Sequence, residues 1–172
     1  MEILRTPDDR FAALPGYAFA PHYAQIGELR MHYVDQGPRD GAVVLCLHGE
    51  PSWAFLYRRV IPRLAAVARV LAPDYFGFGR SDKPTRAEDY SYDFHYRSIE
   101  RLAHELDLRG ATVVVQDWGG PIGLRLAVEH PDRVARLVVL NTGIGAGRAP
   151  SPEWLRFRAF MRRVGDEIVP SQ

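Results

Sequence analysis

Short apolar runs without polar alternation recur along the chain, and each is followed by a longer segment of helical periodicity. The apolar runs cover residues 43–47, 69–72, 111–116 and 136–140. The helical patterns cover residues 53–67, 92–106, 119–129 and 153–164. Strands of this kind are buried on both faces, and strands that alternate with helices pair in parallel. The sequence therefore predicts an α/β fold with a mostly parallel sheet and helices on both faces.

A stretch rich in glycine and proline at residues 142–152 predicts a domain boundary. We expect residues 1–142 to form the core, which opens with two strands that turn near Gly27, and residues 143–172 to begin a second, helical domain. The predicted sheet has few strands, and its last strand would leave an apolar edge, which is an aggregation hazard. The sequence therefore predicts that further strands follow Gln172 in the intact protein.

Composition excludes several classes of protein. The 172 residues suffice for one domain with a core. A formal net charge of +1 without a basic run does not indicate binding to nucleic acid or to an anionic membrane. The single cysteine, Cys46, lies in an apolar run, so we expect no internal disulfide and a buried thiol. No segment reaches the ~18 apolar residues of a membrane span, and the N-terminus lacks an apolar signal core. A cytoplasmic location is the expectation.

Asp117 stands between a predicted buried strand and a predicted helix, in the run Thr-Val-Val-Val-Gln-Asp-Trp-Gly-Gly at residues 112–120. Ligands of open α/β sheets bind at the carboxyl ends of the strands, where Asp117 lies. The two glycines allow a tight turn, and the N-terminus of the following helix favours negative charge. Aspartate is also a common N-cap residue, so Asp117 alone leaves a catalytic and a capping role open.

Two further loops follow neighbouring predicted strands. Leu47-His48-Gly49-Glu50-Pro51-Ser52-Trp53 comes after one strand and opens a helical segment. The glycine-rich stretch at residues 74–84 follows the next strand, and we interpret it as a turn that supports the site. All three loops are expected to meet at one edge of the sheet.

The motifs His48-Gly49-Glu50-Pro51-Ser52-Trp53 and Val115-Gln116-Asp117-Trp118-Gly119-Gly120 resemble those of the α/β-hydrolase superfamily and, within it, the haloalkane dehalogenases. The resemblance covers roughly residues 5–142. It implies an α/β-hydrolase core followed by the start of a helical cap, and it implies that Asp117 displaces halide from a saturated carbon to form an alkyl ester. An aspartate, with a pKa of about 3.9, is ionised at neutral pH and needs no base for this attack.

The resemblance also assigns roles around Asp117. The main-chain N–H groups of Glu50 and Trp118 would form the oxyanion hole for ester hydrolysis, and the Glu50 side chain would help hold the hydrolytic water. The Trp118 indole N–H would bind the leaving halide. Trp154 is a second candidate halide donor or an ordinary cap aromatic. The implied reactants are a small halogenated alkane and water, with no cofactor and no metal, and the oligomeric state stays open.

The family also uses a histidine base and a second acid. None of the six histidines, His22, His32, His48, His95, His104 and His130, fits the position of that base. We interpret His48 as structural. Asn141 resembles the branch of the family whose acid follows the next strand, so the base and the acid are expected beyond Gln172. The 172 residues alone are therefore predicted to lack turnover.

Two alternatives remain open from the sequence. An epoxide hydrolase shares the nucleophile and the fold, but it would need an acid, usually a cap tyrosine, and more often has histidine at the position of Gln116. A noncatalytic or inactive truncated hydrolase-fold protein is the second alternative, supported by the lack of a histidine base. A serine esterase is excluded because aspartate occupies the nucleophile position.

Overall fold

The computed structural model describes residues 1–143, 147 and 149–164. Its strands are β1 (Ile3–Leu4), β2 (His22–Ile26), β3 (Leu29–Gln36), β4 (Ala42–Leu47), β5 (Ala68–Pro73), β6 (Lys83–Pro84), β7 (Ala111–Gln116) and β8 (Val134–Leu140). Its α-helices are α1 (Ile61–Leu64), α2 (Tyr92–Glu105), α3 (Gly119–Glu129) and α4 (Pro152–Val164). Short 3-10 turns cover residues 8–11, 54–57 and 87–89. In the described part of the chain, no helix is long and apolar enough to cross a membrane.

The main sheet has the strand order β2-β3-β5-β4-β7-β8 within the described residues. Pairing is antiparallel between β2 and β3 and between β3 and β5, and it is parallel from β5 through β4 and β7 to β8. Strands β1 and β6 form a separate antiparallel pair. The prediction of a mostly parallel sheet is confirmed, as is the pair of strands that turns at Gly27.

Alternate residues of β4 enter different cores, because successive side chains of a strand point to opposite faces. Leu45 and Leu47 join the core formed with α2 and α3, whereas Val44 and Cys46 join the core on the other face, formed with α1 and the turn before it. Helices therefore cover both faces, as predicted. Cys46 is buried as expected, and burial raises the pKa of its thiol to about 12.

The prediction of one continuous helix over residues 53–67 is wrong. The segment forms a 3-10 turn at 54–57 and then the short helix α1. Pro62 explains the break, because a proline inside a helix lacks an N–H and clashes with the preceding turn, whereas the first turn tolerates it. Tyr57 and Ile61 of this segment are buried, whereas Val60 is exposed.

Strand β8 lies at the edge of the described sheet, and it departs from the expected burial on both faces. Its side chains from Leu137 to Leu140 are 39–43% exposed. The strand pairs on one side with β7, and no described strand pairs with its other side. Of the second domain predicted at 143–172, α4 lies at the expected position, and residues 144–146, 148 and 165–172 lie outside the described residues.

Candidate active site

Asp117 occupies a sharp turn between β7 and α3. Its φ is +51°, in the left-handed region that non-glycine residues seldom adopt, and Asp is among those that adopt it most readily. The Gly120 N–H donates to the Asp117 carbonyl at 2.9 Å, which closes the turn into the helix. The chain therefore reverses at Asp117 and holds its side chain at the carboxyl edge of the sheet.

The loop after β4 approaches Asp117 closely, because Gly49 has no side chain. A Cβ atom on Gly49 would lie 2.2 Å from the Cβ and 2.4 Å from Oδ1 of Asp117, distances that folded proteins do not tolerate. The lack of a side chain at Gly49 thus lets the main chain of Glu50 approach Asp117. The Glu50 N–H donates a hydrogen bond to Asp117 Oδ1 at 2.9 Å. The two motifs that the sequence singled out meet as predicted.

Trp118 follows Asp117 at the N-terminal end of α3, and its side chain is 51% exposed. It lines a cavity of about 400 Å³ together with Glu50. The remaining lining residues are Gly49, Tyr75, Gly77, Phe78, Tyr90, Ser91, Tyr92, His95 and Ile122. Most of this wall is aromatic or aliphatic, which suits an apolar ligand.

Three tyrosines line the cavity, and two of them have their hydroxyls held by main-chain carbonyls. The Tyr90 hydroxyl donates to the Pro84 carbonyl at 2.8 Å, and the Tyr92 hydroxyl donates to the Pro121 carbonyl at 3.1 Å. The hydroxyl of Tyr75 is buried and has no hydrogen-bond partner among the described residues. Burial raises the pKa of Tyr75 well above its usual value, so this hydroxyl stays protonated.

His95 lies beside Tyr75, with 5.6 Å between the ring centroids. Its Nδ1 is also buried without a partner in the described part of the chain. Burial lowers the pKa of His95 to about 4, so the ring is neutral at neutral pH. Sequence reasoning missed Tyr75 and His95 as cavity residues. Tyr75 could have been found from its place after the end of β5, at the same sheet edge as Asp117.

His48 holds two of the loops together. Its Nδ1 lies 2.8 Å from the Gly49 carbonyl oxygen, and its Nε2 accepts a hydrogen bond from the Tyr75 N–H at 3.0 Å. Because Nε2 is an acceptor, Nδ1 carries the proton and donates to Gly49. Burial lowers the pKa of His48, against the opposing effects of Gly49 and Asp74. Both ring nitrogens are engaged, so the structural interpretation of His48 is confirmed.

Asp74 connects the turn at residues 74–84 to the rest of the site. It is fully buried and accepts hydrogen bonds from the N–H groups of Ala54 at 2.8 Å and Arg80 at 2.9 Å. His32 Nδ1 lies 2.8 Å from its second oxygen. Burial alone would raise the pKa of Asp74, but the hydrogen bonds from His32 and from the Ala54 N–H lower it. The predicted supporting role of this turn is confirmed.

No histidine among the described residues hydrogen-bonds to Asp117. His104 Nδ1 lies 2.8 Å from an Arg133 nitrogen, and His130 Nε2 lies 2.8 Å from a Glu100 oxygen. Both histidines therefore have other partners. His32 and His48 are engaged as described above. The described residues therefore supply an aspartate, a main-chain donor and an indole, and none of their histidines is hydrogen-bonded to Asp117.

Trp154 lies on α4, outside the described wall of the cavity. Its side chain is 47% exposed, and the Arg158 guanidinium lies 4.9 Å from its ring centroid. The structure does not bring Trp154 together with Trp118. Asn141 closes β8 as predicted and has a φ of +40°.

This arrangement has counterparts among known proteins. The sequence model of a family described as alpha/beta hydrolase fold matches residues 42–168. The haloalkane dehalogenase of Mycobacterium marinum is 52% identical over 169 residues, which cover 94% of this chain and 57% of that protein. The tetrameric structure of haloalkane dehalogenase DpaA from Paraglaciecola agarilytica NO2 is similar with a TM-score of 0.89 and 43% identity, covering 95% of this chain and 56% of that one.

A second activity also occurs among the similar structures. The epoxide hydrolase CorEH, solved without ligand, has a TM-score of 0.71 and 32% identity, covering 86% of this chain and 52% of that one. The chain thus spans a little over half the length of the proteins to which it is similar.

Proposed function

The chain belongs to the alpha/beta hydrolase fold family, and from this premise we propose that the protein hydrolyses small haloalkanes to an alcohol and a halide ion, with Asp117 as nucleophile. The observation that carries the proposal is the placement of Asp117 on the turn after β7, with Oδ1 2.9 Å from the Glu50 main-chain nitrogen. The similarity to haloalkane dehalogenases supports the same assignment.

The first step forms an ester on Asp117. A carboxylate oxygen attacks the carbon that bears the halogen, the carbon–halogen bond breaks, and the halide leaves with the bonding electron pair. The Trp118 indole N–H is the proposed donor to the departing halide, since Trp118 lines the cavity and directly follows Asp117 in the chain. An aromatic, mostly apolar cavity would hold the alkyl chain and exclude water from the nucleophile.

The second step returns Asp117 to its starting state. Water attacks the carbonyl carbon of the ester, and negative charge develops on the carbonyl oxygen. The main-chain N–H groups of Glu50 and Trp118 are the proposed donors to that oxygen, and the Glu50 carboxylate, which lines the cavity, is the proposed holder of the water. Deprotonating the water needs a base, a role that we assign to no described histidine.

Epoxide hydrolysis is the second candidate, because an epoxide hydrolase is among the similar solved structures. That reaction needs an acid to protonate the epoxide oxygen while Asp117 attacks the carbon. We assign this role to no described tyrosine, since the Tyr75 hydroxyl is buried and its pKa is raised. The chain is more similar to haloalkane dehalogenases, which favours dehalogenation.

A single-turnover assay separates the two candidates. Folded protein is mixed with a short bromoalkane or with the epoxide of equal chain length, and bromide or ring-opened product is measured per chain. We expect about one bromide per folded chain and a much slower reaction with the epoxide. Ring opening of the epoxide without bromide release would move the assignment to an epoxide hydrolase.

A further inference from the structure

The segment that follows β8 hydrogen-bonds to both the N–H and the carbonyl group of Asp117. The Asp117 N–H donates to the Asn141 carbonyl at 3.2 Å, and the Thr142 hydroxyl donates to the Asp117 carbonyl at 2.6 Å. Both peptide groups of the nucleophile are therefore bound to one dipeptide at the end of the neighbouring strand.

Both partners of this contact have left-handed main-chain conformations. The φ angles are +51° at Asp117 and +40° at Asn141. Non-glycine residues keep such conformations only where the surrounding structure holds them. The two hydrogen bonds to residues 141–142 supply that restraint at the nucleophile.

Gly120 makes room for Thr142. A Cβ atom on Gly120 would lie 1.9 Å from Oγ1 and 2.7 Å from Cγ2 of Thr142. The threonine side chain thus fills the space beside the second glycine of the turn, where its hydroxyl reaches the Asp117 carbonyl. Thr142 is partly buried in this position.

We propose that Thr142 is a positioning residue for the nucleophile. Its hydroxyl fixes the peptide of Asp117, so that the carboxylate keeps its alignment with the Glu50 N–H and with the carbon it attacks. Small displacements of a reacting group from its attack geometry cost large factors in rate. The proposal rests on the proposed function, since the reaction positioned is the alkylation of Asp117.

The test compares Thr142→Val, which keeps the shape but loses the donor, with Thr142→Ser, which keeps the donor. The maximal rate of Asp117 alkylation by a bromoalkane is measured by mass spectrometry on the folded chain. We expect Thr142→Val to lower this rate about tenfold with little change in the half-saturating concentration, because one hydrogen bond is lost. Thr142→Ser should restore most of the rate. Thr142→Ala replaces the valine variant if valine does not fold.

A second readout does not depend on activity. Amide hydrogen exchange at Asp117 and Gly120 should accelerate in Thr142→Val and stay slow in Thr142→Ser, whereas exchange inside β7 stays unchanged. A valine variant that alkylates as fast as the original chain, or equal losses in the valine and serine variants, would overturn the positioning role. Absence of alkylation in the unchanged chain would count against the proposed function instead, and the exchange data would still decide the role of Thr142.

Discussion

Asp117 is held by three main-chain groups and one side-chain hydroxyl from separate parts of the fold. Its carboxylate accepts from the Glu50 N–H, its own N–H donates to Asn141, and its carbonyl accepts from Gly120 and Thr142. As the proposed nucleophile, a residue fixed in this way would need little reorganisation when it attacks, which is how preorganised sites lower an activation barrier. At the scale of the single residue, the proposal makes the rate depend on these few distances.

Trp118 is the residue whose chemistry is tested most simply by substitution. Trp118→Phe removes the indole N–H and keeps an aromatic ring, so it should slow halide displacement roughly tenfold to a hundredfold, the effect of one hydrogen bond to a charged group. The measurement is the rate of bromide release in a single turnover. Trp154→Phe is the matched control, because Trp154 lies outside the described cavity wall. Equal rates in Trp118→Phe and the original chain would remove Trp118 from the halide site.

At the scale of elements, the sequence predicted the strands of the main sheet from their apolar runs and the longer helices from their hydrophobic period, whereas the two-residue strands β1 and β6 were not predicted. Strand β7, helix α2 and helix α3 lie within a residue of their predicted bounds. The prediction of a helix at 53–67 was wrong because it rested on apolar spacing and ignored Pro62, which a helix accepts only in its first turn. The spacing of apolar residues does not reveal this break, because it carries no information about the backbone geometry of proline.

The site was predictable where glycines mark a close approach and a turn. Asp117 follows from its place at a strand end before two glycines, whereas Glu50 and Trp118 were assigned through the resemblance of their motifs to a known family. The sequence gives the position of Tyr75 after a strand end, but it does not show that Tyr75 and His95 are buried without partners among the described residues, since that depends on how the segment after β5 packs against α2. A sequence pattern gives the strand end on which a side chain lies, and only the folded chain shows what surrounds it.

The contact between the loop after β4 and the turn after β7 gives an element-scale prediction. Gly49→Ala places a methyl group 2.2 Å from the Asp117 Cβ, so one of the two loops must move. We expect loss of nearly all alkylation and a fall of about 1–3 kcal/mol in the free energy of unfolding. Urea denaturation and the single-turnover assay measure the two effects.

Gly143→Ala is the matched control for that substitution, because a Cβ there meets no atom of the described residues within 4 Å. Its rate and stability should stay close to those of the original chain. If Gly49→Ala behaves like Gly143→Ala, the close approach of the two loops does not limit the reaction.

The whole molecule consists of a sheet with a core on each face, and a buried ion pair joins two of its strands. Asp35 in β3 accepts from Arg69 in β5 through both oxygens, at 3.0 and 2.8 Å. Burial alone would raise the pKa of Asp35, but the hydrogen bonds and charge of Arg69 lower it below the ordinary value. The folded state therefore binds this proton less readily than the unfolded state does.

That difference makes stability depend on pH in a defined direction. The contribution of Asp35 is fully present above the ordinary aspartate pKa of about 3.9, and it is lost as the pH falls through the lowered value of the folded state. In Asp35→Asn, the free energy of unfolding should therefore decline less steeply on acidification below about pH 4. Denaturation at a series of pH values measures the slope. Asp40→Asn, at an exposed aspartate, is the control. Equal slopes in the original chain and Asp35→Asn would contradict the assignment.

The reaction of the whole chain with a haloalkane tests the proposed nucleophile most directly. The chain, shown to be folded by circular dichroism, is incubated with a short bromoalkane, and its intact mass and peptides are analysed. We predict one added alkyl group, located on the peptide that contains Asp117. The group should persist, because its hydrolysis needs a base for the attacking water and we assign that role to no described histidine, and it should be absent from Asp117→Asn. A folded chain that gains no alkyl group, or gains it equally in Asp117→Asn, would contradict Asp117 as the nucleophile.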